Sequence, residues 1–206
     1  MFRFKILFFI LLFGIVNSYS QEEMVKKIRQ VYLNYNKQIK ESEAEGLDFL
    51  PPKFKITNVQ NRPALGPVSI NITYYYDGHS NIEEAEGYAD MKNWIILRKV
   101  VYTEGMPSYT DYKEMLFDEK GNLLFYYVKS TGYDCSEKRF YFNKNKLIKI
   151  KFNPIIHEQC SNEEEFPSFA RYTNNLTKED LDWEKWIIKK AHKSKQIAKD
   201  LYNSTQ

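Results

Sequence analysis

Hydrophobic and polar positions repeat along this chain with two different periods, and the change of period divides it. From Gln21 to Glu45, Met24, Ile28, Val31, Tyr32, Tyr35 and Ile39 recur every three or four residues, which lays one apolar stripe along a helix. Glu22 with Lys26, and Glu23 with Lys27, take the favourable i, i+4 spacing on its outer face. Gly46 suits the left-handed position that ends a helix, and Pro51 and Pro52 forbid its continuation. Over residues 53–152 the period falls to two. In VSINITYYY, Val68, Ile70, Ile72, Tyr74 and Tyr76 alternate with Ser69, Asn71, Thr73 and Tyr75, as in a strand with one buried face. WIILRKVVYT, from Trp94, is apolar on both sides for part of its length and predicts a central strand.

Two hairpins follow. YTDYKEMLF and NLLFYYVKS flank Asp118-Glu119-Lys120-Gly121, where Gly supplies the positive φ that the turn needs. KRFYF and KLIKIKF flank Asn143-Lys144-Asn145-Lys146, and Asn tolerates the left-handed region better than most residues. The stretch 153–176 predicts a loop, and 177–202 a second helix. Thr177 is its N-cap, Asp180 the acidic partner of a capping box, and Leu176 with Leu181 a hydrophobic staple. Leu181, Ile187, Ile188, Ala191, Ala198 and Leu201 would pack on the sheet. The expected fold is therefore a single α+β domain over 21–206, an antiparallel, curved β-meander flanked by an N-terminal and a C-terminal helix.

Residues 1–20 read differently. Arg3 and Lys5 precede an apolar run from Ile6 to Val16, too short to span a bilayer comfortably, and Ser18 and Ser20 put small side chains at −3 and −1. This pattern predicts a signal peptide cleaved between Ser20 and Gln21, and a protein that is periplasmic or secreted. In an oxidising compartment the only two cysteines, Cys135 and Cys160, predict one disulfide tying the sheet to the 153–176 loop. A zinc site built from Cys160 and His157 would lack further ligands, so no metal and no cofactor is expected.

Charge excludes one class of function. The net charge of +3 falls to +1 without Arg3 and Lys5, which leaves no electrostatic footprint for nucleic acid. The second helix is acidic first (Glu179, Asp180, Asp182, Glu184) and basic afterwards (Lys185 to Lys199). That order complements the helix dipole, and contact of its Lys-rich half with a membrane surface is the secondary reading. His79, His157 and His192 each stand beside residues that commonly occur by chance, and no catalytic motif of the Gly-x-Ser-x-Gly, His-Glu-x-x-His, Walker or Gly-x-Gly-x-x-Gly type is present. No catalytic residue is assigned. The acidic run Glu163-Glu164-Glu165 reads as a solvated loop.

The aromatic content, 16 Tyr and 14 Phe, is the remaining clue to function. Tyr74, Tyr75 and Tyr76 are consecutive, as are Phe125, Tyr126 and Tyr127, so each trio must send a ring to either face of the sheet. Either both faces are covered, or Tyr75 and the outward member of the Tyr126–Tyr127 pair form a platform for an envelope glycan or a protein partner. The expected function is a non-catalytic binding or interaction protein of the cell envelope; the alternative is a hydrolase of envelope polymer or peptide working through carboxylates.

The succession of leader, helix, NVQNRPALGP lead-in, and meander with FDEKGNLLFYY and RFYFNKNKLIKI resembles uncharacterised small exported bacterial proteins. The resemblance implies export and a β-rich fold, and assigns no functional residue. FDEKGNLL is also similar to hairpins of tyrosine-aspartate repeat proteins, through shared turn chemistry without a repeat period.

Overall fold

The computed structural model describes residues 2–46, 51–63, 66–78, 95–106, 109–131, 135–155 and 167–204, with the backbone alone for 2–19, 95 and 109. Helix α1 (Phe2–Ala44) leads into eight strands: β1 (Lys53–Arg62), β2 (Gly66–Gly78), β3 (Ile95–Met106), β4 (Tyr109–Phe117), β5 (Leu123–Ser130), β6 (Ser136–Asn143), β7 (Lys146–Pro154) and β8 (Phe169–Tyr172). Helix α2 (Lys178–Ser204) closes the chain. Each strand pairs antiparallel with its chain neighbours, so the sheet order is the sequence order and the sheet is open. This is the α+β meander with two flanking helices that the periodicities predict.

Three details differ from the expectation. The NVQNRPALGP lead-in is in part strand: its first half lies in β1, which pairs with β2 from Lys53↔Tyr75 to Arg62↔Gly66. The loop 153–176 contains β8, which pairs with β7 from Lys149↔Tyr172 to Phe152↔Phe169. Helix α1 begins at Phe2, so the apolar leader and the amphipathic segment form one continuous helix. The turns follow the residue chemistry, with Lys144, Asn145 and Gly121 at positive φ, and Gly46 likewise at φ 72° after α1.

The registers place one residue from each strand in a single row on one face: Lys53, Tyr75, Lys99, Leu116, Phe125, Tyr141, Lys149 and Tyr172. Helix α1 lies over this row and crosses the strands. Glu22 reaches Lys149 and Tyr172, Arg29 donates to Tyr141, Tyr32 packs on Phe125, Asn36 accepts from Lys99, and Glu43 pairs with Lys53. The span fits: residues 22–43 rise about 32 Å as a helix, and eight strands about 4.8 Å apart are about 34 Å wide. Val25, Ile28, Tyr35 and Ile39 form the buried side of α1.

On the opposite face the row Tyr74, Val100, Met115, Tyr126, Phe140 and Ile150 carries α2, whose Ile187, Ala191 and Ala198 are buried against it. Both faces are thus covered by helices. The capping box forms, with Asp180 N–H donating to Thr177 Oγ1 at 3.2 Å and Thr177 N–H to Asp180 Oδ2 at 2.8 Å. Leu181, expected in the packing side, is 42% exposed. Asp180 and Trp183 lie inward instead, Asp180 accepting from Arg171 of β8 at 2.7 Å and Trp183 resting on Phe140.

Candidate functional site

Helix α2 does not fill the face it covers. Beside it, over β2 to β5, opens a cleft of about 320 Å³. Its floor is two adjacent rows of the sheet, Tyr74–Val100–Met115–Tyr126 and Ile72–Tyr102–Lys113. Its wall is one side of α2, Trp186, Lys190, Lys193 and Ile197, spaced i, i+4, i+7 and i+11 so that they share one helical face. Aromatic and aliphatic groups make the depth of the cleft, and charged groups make its rim. This is the common composition of a small-ligand site.

Trp186 is the most exposed ring in the wall, at 40%. It stands edge-on to Trp183, with centroids 5.4 Å apart, and 6.3 Å from Tyr126 in the floor, so its orientation is held by its neighbours. The Lys190 ammonium lies 5.3 Å from its ring centre. On the sheet side Tyr102 donates to Glu104 Oε2 at 2.8 Å, Arg62 approaches Glu104 at 3.4 Å, and Lys113 sits 5.2 Å over the Tyr102 ring while pairing with Asp111 at 3.1 Å. Burial, then the bond to the Glu104 carboxylate, pushes the Tyr102 phenol well up, so it remains a hydrogen-bonding hydroxyl at all physiological pH. Among the lining residues Glu104 is the one carboxylate, facing Lys113, Lys190 and Lys193.

A larger hollow, about 600 Å³, flanks α2 on its other side between Leu97, Lys120, Lys195 and Tyr202, with His192 at its edge. Lys195 donates there to the Gly121 carbonyl at 2.8 Å. Residues 79–94, including His79, lie outside the described residues.

The three tyrosines singled out from the sequence are divided between the faces. Tyr126 is 1% exposed and forms part of the cleft floor, which removes it from any open platform. Tyr75 and Tyr127 are half-buried on the α1 face, Tyr127 donating to Glu137 at 2.9 Å and standing edge-on to Tyr112. Cys135 is buried just before β6, whereas Cys160, His157 and the acidic run 163–165 lie outside the described residues. Among the described residues no group of three or more His, Cys, Asp or Glu side chains could hold a metal ion. Among them, too, no helix is long and apolar enough to cross a membrane.

Sequence reasoning did not find Tyr102, Glu104, Lys113 or Trp186. The wall had a signal, the helical spacing of Trp186, Lys190, Lys193 and Ile197, but the lysines read as a solvated face. The floor had none, because it joins strands whose registers only the fold supplies.

Under α1 lies a second polar cluster, which is internal. Glu114 accepts from Lys99 at 2.8 Å, from Tyr32 at 2.5 Å and from Tyr112; Lys99 also donates to Asn36 at 2.6 Å. Lys99 and Glu114 are each 4% exposed. Burial pulls the Lys99 ammonium below its ordinary range, and Glu114 acts against that shift. With every oxygen of Glu114 occupied, the cluster docks α1 and offers no free acid or base.

Comparison of the chain with family models, with curated proteins and with solved structures finds no match.

Proposed function

We propose that this protein is an exported binding protein of the cell envelope, and that the cleft between α2 and strands β2 to β5 takes an acidic glycan. The observation that carries the reading is Trp186, an exposed but rigidly held ring beside a lysine-rimmed, tyrosine-floored hollow. Pyranose rings present apolar C–H faces that stack on indole and phenol. Their hydroxyls both donate and accept, which suits Glu104 and the Tyr102 hydroxyl together. The excess of lysines over the single carboxylate favours sugars that bear acid groups. Hydrolysis by paired carboxylates would require a second acid facing the cleft, and the described lining supplies Glu104 alone. The test is retention of the purified protein on insoluble envelope glycan. Trp186→Ala is expected to weaken retention at least about tenfold with the melting temperature little changed. Wild-type protein that is not retained, or a variant retained equally, would defeat the reading.

Export rests on the leader pattern. It is supported by Glu22, the second residue after the expected cut, which is already held by Lys149 and Tyr172. A helix starting at Gln21 would also carry Glu22 and Glu23 in its first turn, where the dipole favours them. The Cys135–Cys160 bridge is supported by the absence of a free cysteine among the described residues. An intact mass of the exported protein starting at Gln21 and lacking two hydrogens would agree with both; a mass that retains the leader or both thiol hydrogens would refute the corresponding part.

A further inference from the structure

We propose a second binding site, on the opposite face and independent of the glycan reading. The cup of about 270 Å³ between α1 and strands β5 to β7 binds a small organic anion, an oxyanion carried on an aromatic or aliphatic stem. Its cations are Arg29 from α1, Arg139 from β6 and Lys151 from β7; its apolar part is Leu33, Phe125 and Tyr141.

Four observations point this way. First, Arg139 and Lys151 are direct cross-strand partners on the same face. Like charges placed so destabilise a sheet, and Arg29 brings a third positive charge over them. Second, the neighbouring acids discharge only one of the three cations, Arg139, which pairs with Glu137. Glu137 is engaged by Arg139 at 2.7 Å and by the Tyr127 hydroxyl, and Glu22 by Lys149 and Tyr172. Lys151 has no ion pair among the described residues.

Third, Arg29 is oriented. Its Nε donates to the Tyr141 hydroxyl at 3.1 Å and its guanidinium carbon lies 5.4 Å from the Tyr141 ring centre, which leaves the terminal nitrogens for a ligand. A guanidinium held in this way presents parallel donors to a phosphate or carboxylate. Fourth, Leu33 is 59% exposed at the mouth of the cup, one of four large exposed apolar side chains among the described residues. An inorganic ion would have no use for it, whereas the stem of an organic anion would cover it.

The probe is phenyl phosphate, titrated into the purified protein by calorimetry with inorganic phosphate in parallel. Saturable binding with a dissociation constant on the order of 1 mM or tighter is expected, with inorganic phosphate weaker. Lys151→Gln, which breaks no ion pair, is expected to weaken phenyl phosphate at least about tenfold, and Leu33→Asp comparably, while both variants melt as the wild type does. Absence of saturable phenyl phosphate binding would overturn the proposal. So would equal affinity for inorganic phosphate, or affinity unchanged in both variants.

Discussion

Replacing Glu114 with Gln should cost this protein a large part of its stability, and the loss should be recovered in part by also replacing its partner. In the wild type Lys99 is 4% exposed, and its ammonium finds Glu114 at 2.8 Å and Asn36 at 2.6 Å. The amide keeps the shape of the carboxylate but removes the charge, which leaves a buried cation facing neutral amide oxygens alone. Breaking a buried pair in this way costs about 3–5 kcal/mol, set against a total of about 5–15 kcal/mol for a domain of ordinary stability. The hydroxyls of Tyr32 and Tyr112 keep an amide to bond to, so the loss is chiefly that of the charge. Adding Lys99→Met removes the stranded ammonium, and the double variant should be more stable than Glu114→Gln alone. Urea titration of the four proteins gives the coupling energy, and hydrogen exchange locates the weakening, expected in α1 between Ile28 and Glu43. A Glu114→Gln variant within about 0.5 kcal/mol of wild type, or a cycle with no coupling, would refute the claim that this pair docks α1.

Two other outcomes follow from burial and charge. The Asp180 carboxyl is pushed up by burial, but the hydrogen bonds from Arg171 and Thr177 outweigh that and hold it below its ordinary value of 3.8. Its contribution is therefore complete above that value and lost as pH falls through the lower folded one, so Asp180→Asn should be less stable at neutral pH and converge with wild type in acid; a pH-independent difference in urea midpoint would contradict this. Tyr126→Ala should cost about 3–5 kcal/mol as a large-to-small core change, whereas Tyr127→Ala should lose little beyond its bond to Glu137, about 1 kcal/mol; equal costs in a urea titration would place the faces wrongly.

How much of this was legible in the sequence depended on range. The central strands announce themselves because each has a buried side of its own, as the alternation from Val68 to Tyr76 shows. The edge strands do not. In β1 the residues Thr57 to Asn61 are all exposed, and polar edges of this kind discourage pairing with other chains, so the alternation is weak. In β8 only Phe169 to Tyr172 pair, too few for a period to appear. The capping box of α2 is local and was readable from Thr177 and Asp180. The cleft joins Ile72 to Ile197, and the Lys99–Glu114 pair depends on a register, so neither could be read before the sheet was assembled.

The position of α1 bears on how the chain completes its folding. A meander joins each strand only to its neighbours, so taken alone it behaves as a one-dimensional array that can fray from either end. Here α1 holds β1 through Glu43 and Lys53, and β7 and β8 through Glu22, Lys149 and Tyr172. The two edges are thereby made to gain or lose structure together. The helix also precedes all eight strands in the chain, yet its Glu22 contact with Tyr172 cannot form until β8 has been made. Between those moments the apolar side of α1, Val25, Ile28, Tyr35 and Ile39, has no complete surface to cover it. Under the export proposed above, that interval is when a holding chaperone would find its binding sequence.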